Sequence, residues 1–160
     1  EDQGVEDYLK IYTLLSQDEI IAIMKDFEKD RSDRIAQKTL AFEVTKLVHG
    51  ESRADSVKRI SEVLFGGRDY AELNAEDFEA LGGELGVFEA NAGVELAGAL
   101  VDAGLAASKG EARRFLEANA IYVNGSQIPL EKTTLDTDDA IAGHIVLRRG
   151  KNAQVVIRLA

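Results

Sequence analysis

Three cations lie close together in the second half of the sequence, within residues 108–114. Ser108 followed by Glu111 is a capping pattern, so it predicts a helix that begins at Ser108. Lys109 and Arg113 are four residues apart and share one face of such a helix, and Arg114 adds a third charge beside them. The free N–H groups and partial positive charge of a helix N-terminus also favour phosphate. This stretch therefore predicts a surface that can bind a phosphate backbone.

A second group of cations, Arg148, Arg149 and Lys151, crowds a turn between two runs of strand-forming residues. Asn124-Gly125 also separates two short β-type runs and predicts a tight hairpin, because both turn residues must take positive φ. This hairpin can place backbone groups near the same edge. Together, a basic helix start and a basic turn favour a clamp on a nucleic-acid backbone. The alternative is a solvent-exposed helix face and an edge turn protected by charge.

Residue patterns for catalysis or metal binding are missing from the sequence. His49 and His144 do not have the spacing of two metal ligands on one helical face, and the absence of cysteine excludes zinc-thiolate sites, disulfides and a cysteine nucleophile. The sequence contains no glycine-rich nucleotide-binding loop. The carboxylates lie at helix caps and on solvated faces, where they do not indicate general acid–base catalysis by a pair of carboxylates. We therefore predict no catalytic residue, no metal site and no cofactor in this chain.

The formal net charge of −10 argues against nucleic acid at first sight, since each phosphate contact needs a cation. The charges are segregated, however. Residues 71–100 contain seven acids and no Lys or Arg, residues 31–60 are net positive, and no acid follows Asp139. Segregation of this kind can create a basic face on an acidic protein. From charge alone, ordinary solvated surfaces are an equally good interpretation.

With 160 residues and 45% hydrophobic residues, the chain is able to form one ordinary domain or two small ones around a core. No run of apolar residues is long enough to span a membrane. The absence of cysteine also fits a reducing compartment. We expect a cytoplasmic protein that does not associate with membranes.

The first half has a helical pattern, in which apolar residues recur with the spacing of one helix face. Three serines stand where helix caps are expected: Ser16, Ser32 and Ser52. Ser16 forms a full capping box with Glu19. Glycines at Gly50 and at Gly66-Gly67 predict the ends of the third and fourth helices. The acidic stretch that follows reads as a connector with one short helix, capped by Asn74.

The second half changes to a mixed pattern and predicts an α+β fold for the whole chain. We expect helices over residues 94–103 and 108–119, followed by the Asn124-Gly125 hairpin. Two further strands are expected over residues 144–148 and 153–158. The chain thus consists of an N-terminal α-helical domain followed by a small α+β domain.

Residues 108–116, continued by residues 121–125, resemble an RNA-binding module named after small-ribosomal-subunit protein S-four. That module also occurs in pseudouridine synthases and in tyrosyl-tRNA synthetases. Residues 100–108 and 147–152 are similar to the tyrosyl-tRNA synthetase version.

The first half resembles the same synthetase family. Residues 34–41 and 43–50 match its α-helical anticodon-binding domain, and residues 8–14 resemble the segment that follows its nucleotide-binding domain. The sequence is therefore similar, over nearly its whole length and in the same order, to the C-terminal region of bacterial-type tyrosyl-tRNA synthetases.

The resemblance implies three parts: an α-helical anticodon-binding domain over residues 1–70, an acidic linker over 71–92 and an S-four-like (αL-type) RNA-binding domain over 93–160. The family's catalytic signatures, His-Ile-Gly-His and Lys-Met-Ser-Lys-Ser, are missing, so the resemblance implies that this chain does not activate tyrosine. ATP and tyrosine would belong to the absent catalytic domain. This chain would recognise the anticodon and variable arm of tyrosine tRNA. It would be monomeric, and the parent a homodimer through its catalytic domain.

Mapping by motif then gives candidate RNA-binding residues. In the second domain they are Lys109, Arg113, Arg114, Asn124, Arg148, Arg149 and Lys151. In the first domain they are Arg34, Lys38 and Lys46, although Lys38 equally fits a surface helix position and Arg34 a partner of nearby acids. Two alternatives remain open: a stand-alone S-four-type RNA-binding protein, and an acidic protein-interaction module.

Overall fold

The computed structural model of this protein describes residues 4–65 and 67–160. The chain divides into two units, Glu1–Lys58 and Arg59–Ala160. Helices make up the first unit, and the second carries both sheets, so the α+β fold is confirmed. Within the part of the chain that the structure describes, no helix is long and apolar enough to cross a membrane.

Four helices begin in the first unit: α1 (Val5–Tyr12), α2 (Gln17–Lys29), α3 (Ile35–His49) and α4 (Glu51–Phe65). The core of this unit is built where the apolar faces of the first three helices meet. Its buried residues are Val5, Leu9, Ile20, Phe27 and Ala36. Helical spacing places these side chains on the inward face of each helix, as the sequence predicts.

The predicted capping box at the start of α2 is confirmed. The Glu19 N–H donates to the Ser16 hydroxyl at 3.4 Å, and the Ser16 N–H donates to the Glu19 carboxylate at 2.7 Å. The same carboxylate accepts from the Ser16 hydroxyl at 2.7 Å, and these hydrogen bonds lower the pKa of Glu19. Two backbone N–H groups at the start of the helix, which have no acceptor within the helix itself, thereby gain hydrogen-bond partners.

The predicted caps at Ser32 and Ser52 are wrong. Ser32 lies within a short 3-10 turn, Arg31–Asp33, and its N–H donates to the Asp30 carboxylate at 2.9 Å. Helix α4 begins directly after Gly50, whose φ is 86°, so Ser52 lies inside the first turn of the helix. Asp30 caps the 3-10 turn, and α3 begins after Arg34, which has a left-handed conformation and makes no side-chain cap hydrogen bond. Gly66, predicted to help end α4, lies outside the described residues.

The second unit contains the helices α5 (Ala75–Leu85), α6 (Leu96–Asp102) and α7 (Lys109–Glu117). Asn74 caps α5 as predicted, because its side chain accepts from the Asp77 N–H at 3.0 Å. Gly82 and Gly83 lie inside this helix, whose last residue is Leu85. Gly82 is buried near Val87, where a Cβ atom would lie 2.5 Å from a Val87 methyl group, so a larger residue does not fit.

A five-stranded sheet forms the centre of the second unit. Its strands are β1 (Val87–Ala90), β3 (Ile121–Val123), β4 (Ser126–Gln127), β6 (His144–Arg149) and β7 (Ala153–Leu159), and their order is β1-β7-β6-β3-β4. Among the described residues of this sheet, the β1–β7 pair is parallel and the other strand pairs are antiparallel. Strands β2 (Val94–Glu95) and β5 (Thr134–Leu135) form a separate antiparallel pair. The predicted linker, residues 71–92, thus contains α5 and β1, and the functional domain limits stay a prediction.

Alternation along β6 sends side chains to two different cores. Ile145 and Leu147 are fully buried in the larger cluster, which includes residues of α6 and α7. Val146 is fully buried in a smaller cluster with Phe78 of α5 and Tyr70. Because successive strand residues point to opposite faces, the basic residues at the end of β6 are separated in the same way.

Candidate nucleic-acid interface

The N-terminus of α7 has the predicted cap. The Glu111 N–H donates to the Ser108 hydroxyl at 3.2 Å, and the Glu111 carboxylate accepts from the Ala107 N–H at 2.6 Å. Lys109, however, does not project freely into solvent. Its Nζ lies 2.5 Å from a Glu95 carboxylate oxygen, and this hydrogen bond lowers the pKa of Glu95. A phosphate that bound Lys109 would therefore compete with a carboxylate already in place.

Arg113 and Arg114 lie on the exposed part of α7. Among the described residues, neither has a carboxylate within 4.0 Å. Arg114 makes only a long hydrogen bond of 3.4 Å from its Nε to the Gly110 carbonyl oxygen. Both guanidinium groups are thus available for an anionic ligand.

Arg148 and Arg149 point to opposite faces of the sheet, although they are adjacent in sequence. The Arg149 Nη1 donates to the Leu105 carbonyl oxygen at 2.7 Å, and its guanidinium lies 4.9 Å from the centre of the Phe115 ring. The Arg148 guanidinium lies 4.1 Å from the centre of the Tyr122 ring. Sequence reasoning placed both residues on one turn and missed that they serve different surfaces. The period-two alternation of a strand was the signal that could have shown it.

The Arg148 face carries a groove with a volume of about 530 Å³, which Lys151 and the Asn124-Gly125 turn also line. Tyr70 lies in its wall and is buried, and burial raises the pKa of its phenol, although the nearby Arg148 charge lowers it in part. Lys151 is exposed at the rim. Arg148, Lys151 and the hairpin turn are therefore brought together, as the sequence predicts.

Asn124 takes a left-handed conformation with φ of 46°, and Gly125 follows with φ of 80°, so the predicted hairpin turn is confirmed. The Asn124 side chain is occupied inside the protein. Its Nδ2 donates to the Asp139 carbonyl oxygen at 2.7 Å, and its Oδ1 accepts from the Val146 N–H at 2.8 Å. These bonds hold the turn in place, so Asn124 positions the backbone around the groove.

The first-unit candidates have mixed surroundings. Lys38 lies 2.7 Å from the Asp33 carboxylate and Lys46 lies 2.7 Å from the Glu51 carboxylate, and the second hydrogen bond raises the pKa of Lys46. Arg34 is exposed at the start of α3, with φ of 56°. Lys38 and Lys46 are eight residues apart on α3, or about 12 Å along its axis. The structure therefore does not gather these three cations at one point.

Ion pairing sorts the cations of the second unit into two groups. Ten Lys and Arg residues occur from Arg59 to Ala160. Those with a carboxylate within 4.0 Å are Arg59, Arg68, Lys109, Lys132 and Arg158. The other five have no such partner among the described residues: Arg113, Arg114, Arg148, Arg149 and Lys151. All five belong to the predicted site.

The two histidines have no catalytic surroundings. His144 is buried, and its ring is stacked on Phe78 with centroids 5.2 Å apart. Its Nδ1 lies 2.8 Å from the Ala142 carbonyl oxygen, and its Nε2 lies 3.3 Å from the Glu79 carboxylate. His49 is the last residue of α3. Within residues 4–65 and 67–160, no group of three His, Cys, Asp or Glu residues is placed to hold a metal ion.

The comparisons with known proteins agree on one family. Residues 77–157 match a family described as the tyrosine–tRNA ligase SYY-like C-terminal domain. Tyrosine–tRNA ligase of Geobacillus stearothermophilus is 41% identical over 162 residues, which cover 100% of this chain and 38% of that protein. The Opitutus terrae enzyme is 36% identical over 166 residues, covering 99% of this chain and 39% of that protein.

The solved structures that match include a C-terminally truncated mitochondrial tyrosyl-tRNA synthetase of Aspergillus nidulans. It is 43% identical, covers 41% of this chain and 19% of that chain, and gives a TM-score of 0.40. The chain spans less than two fifths of the length of the curated relatives named above.

Proposed function

The chain belongs to the tyrosine–tRNA ligase SYY-like C-terminal domain family, and from this premise we propose that it binds tyrosine tRNA as the C-terminal portion of a tyrosine–tRNA ligase. It recognises the anticodon and the variable arm, and so positions the acceptor end for a catalytic domain that this chain lacks. The chain itself uses no cofactor. ATP and tyrosine bind to the rest of the parent enzyme.

The observation that carries this proposal is the group of five unpaired cations on an otherwise acidic protein. Arg113, Arg114, Arg148, Arg149 and Lys151 have no carboxylate within 4.0 Å among the described residues. A cation in an ion pair must exchange one anion for another on binding, whereas an unpaired cation neutralises a phosphate and releases a counterion. These five side chains are therefore the strongest phosphate contacts that the second unit offers.

The roles are divided between the two halves of the chain. Arg34, Lys38 and Lys46 are the proposed contacts near the anticodon. Lys109 and the five unpaired cations grip the backbone between the anticodon stem and the variable arm, and Asn124 holds the turn beside them. Contacts to phosphate fix the register, and shape and unpaired bases supply the selectivity.

We also propose a cytoplasmic location, a monomeric state for this chain and a homodimeric parent that associates through its catalytic domain. A protein-interaction module that never touches RNA is the competing function. It is less well supported, because tyrosine–tRNA ligases match the chain over its whole length. The stand-alone S-four-type protein is disfavoured for the same reason.

The test is binding of this chain to tyrosine tRNA, and to a tRNA without a long variable arm, across a salt series. We expect preference for tyrosine tRNA and an affinity that falls with salt. The Arg113→Ala/Arg114→Ala double variant should flatten the salt slope by about 1.4 to 1.8 units, since each lost phosphate contact removes about 0.7 to 0.9. Lys132→Ala is the matched control, because its Nζ already lies 2.8 Å from the Asp139 carboxylate.

Two outcomes would contradict the proposal. One is equal affinity for the two tRNAs at every salt concentration. The other is a salt slope that Lys132→Ala lowers as much as the double variant, because the pairing of the cations would then be irrelevant. Complete absence of tRNA binding at low salt would favour the acidic interaction module.

A further inference from the structure

The groove on the Arg148 face has the composition of a site for a planar anionic ligand. It lies entirely within the second unit and is lined by the end of α4, residues 67–70, the Asn124-Gly125 turn and the β6–β7 hairpin. Its volume of about 530 Å³ falls within the range of about 300–1,000 Å³ that is usual for small-ligand sites. Its charged lining residues are the cations Arg68, Arg148 and Lys151 and one acid, Asp69, and its aromatic ones are Phe65 and Tyr70. Cations combined with aromatic rings are typical of single-stranded nucleic-acid sites.

Two flat surfaces face this groove. The Arg148 guanidinium covers the Tyr122 ring at 4.1 Å from the ring centre, which leaves its outer face for another planar group. Phe65, the last residue of α4, is 86% exposed, the highest exposure among the large hydrophobic residues described. Phe65 lines the groove, so a planar ligand bound there would cover its ring. Bases stack both on aromatic rings and on arginine planes.

Polar groups for the rest of a nucleotide are also present. Lys151 is an exposed cation at the rim with no carboxylate partner in the described part of the chain. Gln154, the cross-strand neighbour of Arg148, has a buried Oε1 that accepts no hydrogen bond from any described residue. A buried acceptor without a donor costs free energy, and a donor on a ligand would recover it. The amide is thus suited to the polar edge of a base.

The floor of the groove is tightly fixed. The Tyr70 ring packs against Gly125, where a Cβ atom would lie 3.0 Å from the Tyr70 Cε2. Only glycine allows this approach, and its φ of 80° also favours glycine. The groove therefore does not have to form when the ligand binds, and the entropic cost of ordering it is small.

We propose that this groove binds one unpaired nucleotide of RNA. The base stacks between Phe65 and the Arg148–Tyr122 pair, Gln154 contacts the base edge, and Lys151 binds the phosphate. The inference rests on the proposed RNA-binding function and deepens it, since it assigns to Phe65 and Gln154 a role that a simple phosphate clamp does not require.

The test compares a short single-stranded RNA that carries a fluorescent adenine analogue with a blunt duplex of the same sequence, using the full chain. Phe65→Ala and Arg148→Lys each remove one stacking surface, and Arg148→Lys keeps the charge. We expect each to weaken single-strand binding at least about fivefold, the lower end of measured base–aromatic stacking. Duplex binding should change by less than about twofold. The unmodified chain should quench the fluorescence of the analogue, and both variants should lose this quenching.

Matched controls separate stacking from a general loss of surface. Leu130→Ala removes a large hydrophobic side chain that is 57% exposed and lines a different groove. Arg53→Lys repeats the arginine-to-lysine change at an exposed position of the first unit. Neither should alter single-strand binding. Because Phe65 is so exposed, its replacement should leave the circular dichroism spectrum unchanged.

The two levels of the proposal fail differently. If the unmodified chain binds no RNA at all, the proposed function fails and the groove assignment falls with it. If tyrosine tRNA binds with the expected salt dependence, but Arg148→Lys binds single strands like the unmodified chain, only the groove assignment is overturned. Equal weakening of single strands and duplex by Phe65→Ala would overturn it as well.

Discussion

Asp77 gives the sharpest test of what holds the second unit together. It is fully buried in α5, and its carboxylate accepts two hydrogen bonds from Arg59, at 3.0 Å from Nε and 2.9 Å from Nη2. It also accepts from the Asn74 N–H at 3.2 Å, which completes the capping box. Asp77→Asn keeps the shape and one acceptor, but it removes the charge and turns an amino group toward a guanidinium.

The magnitude follows from the burial of the two partners. Removing one member of a buried pair typically costs about 3–5 kcal/mol, because the remaining charge stays desolvated. The Arg59 side chain is 34% exposed and can regain water, so we expect about 2–4 kcal/mol. Glu72→Gln is the matched control in the same unit: its pair with Arg68 is exposed on both sides and should contribute about 0–1 kcal/mol.

Hydrogen exchange at the amides of β6 and β7 measures the opening free energy of the second unit alone, which matters because the two units need not unfold together. Asp77→Asn should lower this free energy by several times the effect of Glu72→Gln. If the two variants differ by less than about 0.5 kcal/mol, the argument that burial makes this ion pair costly to break is refuted.

Two further outcomes follow from backbone geometry and from a carboxylate pKa. Gly125→Ala should destabilise by about 1–2 kcal/mol in urea unfolding, whereas Gly83→Ala, inside α5 with open space around it, should stabilise by up to about 1 kcal/mol. The hydrogen bond from Arg158 lowers the pKa of Glu79, so its stabilisation is present above about pH 4.5 and is lost as the pH falls below it. Arg158→Gln should therefore lose less stability than the unmodified chain between pH 7 and pH 3, measured by urea midpoints; an equal loss would contradict the assignment.

Features set by neighbouring residues were the ones that the sequence predicted well. The Ser16–Glu19 capping box and the Asn124-Gly125 turn depend only on side chains within three residues and on the freedom of φ. The cap at Ser32 failed for a local reason as well: the Ser32 N–H and hydroxyl both donate to the Asp30 carboxylate, which caps the 3-10 turn before α3.

Features set by distant residues were missed. Strand β1 pairs in parallel with β7, and Val87 lies opposite Val156, so nothing near Val87 in sequence marks its partner. The charge partner of Asp77 is likewise 18 residues away, on another helix. The ion pair between Lys109 and Glu95 also joins residues that are distant in sequence. A run of acids in sequence looks like a solvated surface, and only the fold shows which of those acids neutralise cations.

This distinction resolves the conflict between a net charge of −10 and RNA binding. Acids close to a cation cancel its field within a few ångströms, whereas the Debye length at physiological salt is about 8 Å, so a polyanion senses mainly the cations that have no such partner. In the second unit those are the five residues of the α7 face and the β6–β7 hairpin. The ion-paired cations of the second unit must exchange one anion for another, so an RNA that does not reach these five residues gains less from this unit. We therefore expect the proposed RNA binding to depend on shape as well as charge, which would favour a folded tRNA over nucleic acid in general.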